Sequence, residues 1–244
     1  MGTEPIRILD TGTRRCETIP DGVELRHEPA LLREALDVDA AAVGRRLRQP
    51  HHLVFYSHFA VATVASRSLI SEPERHRFWA VGQRTAQALA DRYGITPSFP
   101  DDQCFQGLIE SLSERAEPLP LLAFGLKGQL RDLSPLARRW DVAFTSIPVY
   151  ASVAAEGSTL RRAFDEVRPH WLALTSARGA QSVADAVGRE KLHRLQSSEE
   201  LRIAAIGLST AARVEELGLR ADLIPPSPDR SKMLFAIAQT SKLT

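Results

Sequence analysis

Hydroxyl side chains recur at matching places along this chain of 244 residues, each after a short apolar run. They belong to Ser57, Thr85, Ser176 and Thr210. At the carboxyl ends of parallel strands, such hydroxyls and the N–H groups of the following helices line the ligand crevice and favour anionic groups. A polycarboxylate ligand would therefore suit them. Taken singly, each hydroxyl also fits an ordinary helix cap.

The apolar runs predict the elements that would position these hydroxyls. They are short and continuous, as in strands buried on both faces of a parallel sheet, and cover residues 53–56, 79–81, 172–174 and 203–206. Each run breaks at a small residue and passes into a helical pattern, which is the βα step of a doubly wound sheet. After the last run, Ser209 or Thr210 is expected to cap the helix.

The sequence also repeats itself. Residues 78–100 resemble residues 203–226, because each stretch has an apolar run, Gly, two residues, Thr-Ala, a helical run, Gly and Pro. Upstream, residues 53–64 resemble residues 171–187, and Ser57 matches Ser176. Two landmarks in the same order predict a structural duplication. The plainer alternative is that any two strand–turn–helix units look alike.

Two extended, proline-bearing segments indicate where the chain crosses between the halves. We predict an α/β fold with two similar doubly wound, flavodoxin-like parallel-sheet domains, joined by a two-stranded β connection and facing each other across a cleft. One domain is discontinuous and comprises residues 1–30 plus 154–244, and the other is inserted at residues 33–147. The connecting strands are expected at about residues 23–31 and 146–153.

Composition excludes several classes of function. The 31 basic and 30 acidic residues nearly balance, which argues against nucleic acid or an anionic membrane as a partner. Cys16 and Cys104 form neither a disulfide framework nor a metal spacing, as expected in a reducing cytoplasm. The start of the sequence lacks the apolar core of a signal peptide, so we expect a soluble cytoplasmic protein. His51, His52 and His58 lack metal-site spacing and are interpreted as surface residues.

The sequence does not support three catalytic or binding motifs, namely those of aspartic proteases, phosphate loops and serine hydrolases. Residues 10–12 read Asp-Thr-Gly, but aspartic proteases need two such aspartates on an all-β scaffold, so a plain βα turn is favoured. Residues 124–128 lack the spacing and the Ser/Thr of a phosphate loop. No Gly-x-Ser-x-Gly elbow of a hydrolase occurs.

An ordered set of short motifs resembles the uroporphyrinogen-III synthase family. The motifs are Tyr-Ser at 56–57, AVGQRTA at 80–86, PVY at 148–150, LTSA at 174–177 and AIGLSTA at 205–211. They occur in family order from about residue 53 to residue 226. Each motif alone is weak, and the ordered set is specific.

The resemblance implies a cyclising lyase of haem, sirohaem and cobalamin biosynthesis that needs no metal, nucleotide or other cofactor. Its substrate would be hydroxymethylbilane, a linear polycarboxylate tetrapyrrole that loses its hydroxyl as the terminal pyrrole is inverted. Tyr150 would donate a proton or an orienting hydrogen bond to that hydroxyl; a packed linker aromatic is the alternative. The residues expected to bind substrate are Ser57, Thr85, Lys127, Thr175, Ser176, Arg178, Gly207, Ser209 and Thr210. A monomer is expected, and a transient encounter with hydroxymethylbilane synthase is left open.

The first strand departs from the family pattern. Members usually carry Arg-Pro and then a full helix, but Asp10-Thr11 stands here. Only about ten residues separate Gly12 from Val23, too few for a helix of ordinary length with its turns. This departure motivates the alternative function of a non-catalytic relative that serves as a binding or regulatory protein.

Overall fold

The structure, a computed structural model, describes residues 4–240. Its strands are β1 (Ile6–Asp10), β2 (Val23–His27), β3 (Leu31–Ala35), β4 (His52–Phe55), β5 (Arg77–Ala80), β6 (Leu121–Leu126), β7 (Phe144–Ala154), β8 (Trp171–Leu174) and β9 (Arg202–Ala205). Its helices are α1 (Ala40–Arg46), α2 (His58–Ser66), α3 (Gln83–Tyr93), α4 (Phe105–Arg115), α5 (Ser134–Trp140), α6 (Gly157–Val167), α7 (Ala177–Val187), α8 (Arg189–Ser197), α9 (Leu208–Glu216) and α10 (Arg230–Thr240). Within residues 4–240, none of the helices has the length and apolar character required to span a bilayer.

The chain divides into two compact units. The terminal unit comprises the chain up to Leu32 and again from Val153, and the inserted unit comprises Arg33–Ser152. The predicted α/β class is confirmed, because both units are built on parallel sheets with helices between the strands.

The terminal unit has a four-stranded sheet in the order β2-β1-β8-β9. Strand β1 runs parallel to β2 and β8, and β8 runs parallel to β9. Alternate side chains enter opposite faces, so Leu9 and Leu172 pack with α6, α7 and α9, while Ile8 and Trp171 pack with α10. Helices therefore cover both faces of the sheet.

The inserted unit has a five-stranded sheet in the order β3-β7-β6-β4-β5. Phe55 and Phe124 pack with α2 and α3 on one face. On the other face, Val54 and Ala123 pack with α4 and α5. Burial on both faces explains why the strands appear in the sequence as continuous apolar runs rather than alternating ones.

The sequence repeat extends to local hydrogen bonding. Just before Gly82, Ala80 N donates to Ser98 O at 2.9 Å, and just before Gly207, Ala205 N donates to Leu223 O at 2.9 Å. Both bonds belong to isolated parallel bridges beyond the following helix. In both copies, the chain thus returns after the helix and pairs at one residue with the preceding strand. A short βα unit does not require this pairing.

The first connecting strand differs from its prediction. Residues 23–27 form β2, which pairs with β1 from Ile6 opposite Val23 to Asp10 opposite His27. The chain instead passes from one unit to the other within β3, which neighbours β7 in the sheet. The expected lack of a helix after Gly12 is confirmed, since residues 11–22 are irregular.

A buried ion pair occupies the turn after β1. Asp10 is 0% exposed and accepts a hydrogen bond of 3.0 Å from Arg230 Nε, while Arg230 Nη2 bonds its other oxygen. Gly12 N also donates to Asp10 Oδ1 at 3.1 Å. A Cβ on Gly12 would lie 2.7 Å from Arg230 Cζ, so a side chain at this position would displace the guanidinium from the carboxylate. The Asp-Thr-Gly sequence is therefore a structural turn that anchors the start of α10.

Replacing Arg230 tests the anchoring role of this pair. Arg230→Met leaves a fully buried carboxylate without its cation, and we expect the free energy of unfolding to fall by about 3 kcal/mol. Urea denaturation at neutral pH measures this fall. The exposed pair of Arg189 and Asp185, 3.9 Å apart, provides the control. Arg189→Met should cost about 0.5 kcal/mol or less, and equal losses in the two variants would contradict the anchoring role.

The interpretation of the histidines at the start of β4 as surface residues is wrong. His51 and His52 are 8% and 1% exposed, and His58 is half-buried. The His52 ring accepts a hydrogen bond from Trp79 Nε1 at 3.0 Å through Nδ1, and its Nε2 lies 2.8 Å from Glu117 O. Burial lowers the pKa of His52. The His52 ring packs against the Trp79 ring like an aromatic side chain, which the polarity of histidine alone did not predict.

The neighbouring His76 is also buried, at 6% exposure. Its Nδ1 accepts a hydrogen bond of 3.3 Å from His51 N, so this nitrogen carries no proton. Burial, followed by the nearby His51 and Arg75, lowers the pKa of His76 to about 4. Protonation would require this hydrogen bond to break.

His76 should make the inserted unit sensitive to acid. A histidine in the unfolded chain has a pKa of about 6.5, so between that value and 4 the unfolded chain binds more protons and stability falls as pH falls. We expect His76→Asn, which keeps an acceptor, to reduce the loss of unfolding free energy between about pH 7 and pH 4.5 by about 1–2 kcal/mol. His193→Asn, at an exposed position in α8, is the control for urea titrations at both pH values. An unchanged acid loss in His76→Asn would refute this assignment.

Candidate active site

The carboxyl ends of three neighbouring strands bring several predicted residues to one edge of the inserted unit. Strand β4 pairs in parallel with β5 and with β6. Ser57 follows β4, Thr85 follows β5 by a few residues, and Lys127 directly follows β6. Lys127 N donates to Tyr150 O at 2.8 Å, which joins the exposed lysine to the strand that carries the predicted catalytic tyrosine.

An irregularity in β7 sets the position of Tyr150. Gly125 pairs with Pro148, but Leu126 pairs with Tyr150, so Val149 is an extra residue in the ladder. Pro148 has no N–H to donate and is tolerated at such bulges. Because side chains alternate between faces, the extra residue brings Tyr150 rather than Val149 opposite Leu126.

The hydroxyl of Tyr150 is held by Ser57. Tyr150 Oη and Ser57 Oγ are 2.9 Å apart. Ser57 is the N-cap of α2, and its Oγ accepts a hydrogen bond of 3.2 Å from Ala60 N. The Tyr150 ring is 5% exposed and meets Phe59 edge-on at 4.8 Å. Its ring is therefore a packed aromatic, and its hydroxyl is part of a directed hydrogen-bond chain.

A cavity of about 270 Å³ borders Tyr150 within the inserted unit and is also lined by Tyr56, Phe105 and Arg131. Tyr56 Oη donates to Arg131 O at 3.1 Å. Burial, and then the charge of Asp132, raise the pKa of Tyr56 well above its usual value, so this phenol stays protonated. The Arg131 guanidinium lies over the Phe105 ring at 5.8 Å and places a cation on the wall of the cavity.

The expected caps after β5 and β9 are wrong. Gly82 and Gly207 are the N-caps of α3 and α9, neither with a side-chain cap bond. Thr85 and Thr210 lie inside the first turns and are 7% and 2% exposed. The helices begin one turn earlier than predicted, because an extended glycine leads directly into each helix, so these threonines pack inward.

The N-terminus of α3 is also partly occupied. Gln83 N donates to Gln103 Oε1 at 3.2 Å. A Cβ on Gly82 would lie 3.1 Å from the same oxygen. The Gln103 amide thus already supplies an oxygen to this helix end.

In the terminal unit, the predicted residues gather after β8 and β9. These strands pair in parallel, with Leu174 opposite Ala205. Ser176 caps α7, since its Oγ accepts a hydrogen bond of 3.0 Å from Gly179 N. Thr175 and Gly207 are half-buried beside it, and the exposed positions are Arg178 and Ser209. This edge therefore presents the capping hydroxyl of Ser176, the exposed hydroxyl of Ser209 and the cationic side chain of Arg178.

Two arginines of the inserted unit, Arg33 and Arg131, also lie at the edge that carries Tyr150 and were not predicted from the sequence. Arg33 lies over the rings of Phe59 and Tyr150. The sequence of β3, Leu-Leu-Arg-Glu-Ala, has no alternation of apolar and polar residues that would have indicated which way residue 33 points. Arg131 follows no regular pattern, and nothing in the sequence marked it.

Other features of residues 4–240 lie away from these edges. In that range, no group of three or more His, Cys, Asp or Glu side chains could hold a metal ion. A larger cavity of about 590 Å³ in the terminal unit is lined by Arg7, Arg168, His170 and Lys191, among others. Since Arg168 and His170 precede β8, this cavity lies at the amino ends of the strands, opposite Ser176.

Comparisons with known proteins agree on one family. The family model described as uroporphyrinogen-III synthase HemD matches residues 24–234. A curated uroporphyrinogen-III synthase from Chlorobaculum parvum is 26% identical over 186 residues, covering 69% of this chain and 68% of the relative.

Solved structures share the fold. Uroporphyrinogen-III synthetase from Helicobacter pylori matches with a TM-score of 0.62 and 16% identity, covering 96% of this chain and 99% of the other. A mutant uroporphyrinogen III synthase from Thermus thermophilus matches with a TM-score of 0.53 and 18% identity, covering 98% of this chain and 100% of the other. Because the family model spans most of the sequence, this chain belongs to the uroporphyrinogen-III synthase family.

Proposed function

We propose that Tyr150 assists the departure of the hydroxyl of hydroxymethylbilane in this chain. The family assigns the chain to the cyclising lyases that form uroporphyrinogen III in tetrapyrrole biosynthesis. The observation that carries the role of Tyr150 is its 2.9 Å hydrogen bond to Ser57 at the carboxyl edge of the inserted unit.

The hydrogen-bond chain suits a proton donor. Ala60 N–H donates to Ser57 Oγ, which leaves the Ser57 proton free to point toward Tyr150 Oη. In that arrangement the Tyr150 proton points away from Ser57 and can bond the leaving hydroxyl. Successive donors polarise one another, which strengthens the last hydrogen bond. As the carbon–oxygen bond breaks, this proton leaves with the hydroxyl as water.

Besides assisting the departure of the hydroxyl, the enzyme must hold the flexible, polyanionic hydroxymethylbilane in place. The unassisted closure gives the uninverted ring, so the enzyme must favour the spiro intermediate through which the terminal pyrrole is inverted. We assign substrate carboxylates to the exposed or half-buried groups at the strand ends, namely Lys127, Thr175, Ser176, Arg178, Gly207 and Ser209. Thr85 and Thr210 lie inside the first turns of α3 and α9 and pack inward, and we assign them to packing beneath these helix ends.

We extend the proposal to the oligomeric state, the location and the substrate supply of the protein. The terminal and inserted units are taken as two domains of a monomer that needs no cofactor. Cys16 and Cys104 are both free, which is consistent with the cytoplasm. Hydroxymethylbilane synthase is the class of enzyme that must supply the substrate, and a transient encounter with it would shorten the life of the free bilane.

Removing one hydroxyl tests the role of Tyr150. Tyr150→Phe should lower kcat about a hundredfold with little change in KM, because general-acid assistance is typically worth that much or more. Ser57→Ala should lower kcat about tenfold, because Tyr150 loses its orienting partner. The assay supplies hydroxymethylbilane, oxidises the products and separates the type III and type I isomers.

Tyr93→Phe is the matched control. Tyr93 Oη is buried and has no hydrogen-bond partner in the described part of the chain, so its removal should leave kcat unchanged. Full activity in Tyr150→Phe would remove the tyrosine from the mechanism. If the unmodified chain formed only the type I ring at the uncatalysed rate, the synthase function itself would be refuted.

A further inference from the structure

Arg33 is a half-buried cation beside the catalytic tyrosine. Its guanidinium carbon lies 5.5 Å from the centroid of the Phe59 ring and 6.0 Å from that of Tyr150. The two rings in turn meet edge-on at 4.8 Å. The charge thus lies beside the ring of the tyrosine whose hydroxyl bonds Ser57.

No ion pair within residues 4–240 includes Arg33. The adjacent Glu34 is exposed and lies at the next position of β3, where side chains point to the opposite face. Asp37 pairs instead with Arg67 at 3.4 Å. The described part of the chain therefore offers Arg33 aromatic rings but no carboxylate in an ion pair.

Stacking leaves the strongest hydrogen-bonding groups of arginine unused. Aromatic contact satisfies the flat face of a guanidinium, while its N–H donors lie in the plane and point outward. A partly desolvated charge without a partner is costly, so such an arrangement is typical of a site completed by an anion. Planar carboxylates fit the two-pronged donor edge of arginine best.

The neighbouring His58 does not compete for this role. Burial, and then the charge of Arg33, lower the pKa of His58, which disfavours the charged form of the imidazole. Of the two side chains, Arg33 is accordingly the one that offers a positive charge to an anion beside Tyr150, in addition to Arg131 on the wall of the adjoining cavity.

We propose that Arg33 binds an acetate or propionate group of the substrate beside Tyr150. The inference rests on the proposed function for the identity of that substrate. By holding a carboxylate of the substrate, Arg33 adds to the affinity of the site beside Tyr150. Arg33 is thus a binding residue whose loss raises KM, whereas loss of Tyr150 lowers kcat.

The test compares binding and turnover in matched variants. Arg33→Met removes the charge and keeps the length, and Arg33→Lys keeps the charge without the planar fork. Arg45→Met, at an exposed position of α1, is the control. Binding of uroporphyrin III, the stable oxidised macrocycle with the full set of acetate and propionate groups, is followed by tryptophan fluorescence. Steady-state kinetics use hydroxymethylbilane.

We expect Arg33→Met to raise both the Kd for uroporphyrin III and the KM about tenfold or more, with kcat within about threefold of the parent. Arg33→Lys should recover part of the loss, and Arg45→Met should match the parent. Added salt should weaken binding to the parent more than to Arg33→Met. A urea denaturation midpoint like that of the parent shows that Arg33→Met is folded.

Two results would overturn the inference. In one, Arg33→Met binds uroporphyrin III as the parent does. In the other, it loses kcat with unchanged KM and Kd, which would make Arg33 a positioning residue for Tyr150. The binding arm is independent of turnover: a parent that binds but does not cyclise would refute the synthase function, and the effect of Arg33→Met on Kd would still decide the role of Arg33.

Discussion

The organisation of each unit depends on one feature, which is that its central strands are covered by helices on both faces and bond their backbone groups to parallel neighbours. In the inserted unit, β4 lies between β5 and β6, and all three run in the same direction. Their carboxyl ends consequently share one edge, and the helices that follow begin there. Ser57 and Tyr150 meet because of this sheet geometry, although 93 residues separate them in the sequence.

At the carboxyl ends of these strands, the helices begin in two different ways. After β4 and β8, serines 57 and 176 extend their hydroxyls to the third following N–H. After β5 and β9, extended glycines begin the helix without a side chain. Each unit thus pairs one serine start with one glycine start on adjacent strands. The serine starts offer a hydroxyl for chemistry. The glycine starts lack a side-chain cap, and at α3 the Gln103 amide already accepts a hydrogen bond from one of the backbone N–H groups.

Much of this could be predicted from the sequence, because the strands and the serine caps depend on local patterns. Continuous apolar runs identify doubly covered strands, and a serine before a helical pattern identifies the cap. Three features escaped prediction because they depend on distant partners. Residues 23–27 join the sheet because they pair with the edge of β1 that β8 does not occupy. His52 is buried because Trp79 and Glu117 bond its ring nitrogens. Arg33 turns inward because its guanidinium lies over the rings of Phe59 and Tyr150.

The ion pair between Asp10 and Arg230 imposes an order on the assembly of the chain during its synthesis. The two residues are 220 positions apart, whereas the inserted unit is continuous from Arg33 to Ser152. Domains generally fold as units when their last residues leave the ribosome. The inserted unit can therefore fold before β8 and Arg230 have been synthesised. Until then β1, although translated earlier, lacks its neighbouring strand and the cation that neutralises its buried carboxylate. One of the first strands translated is among the last to find all its partners.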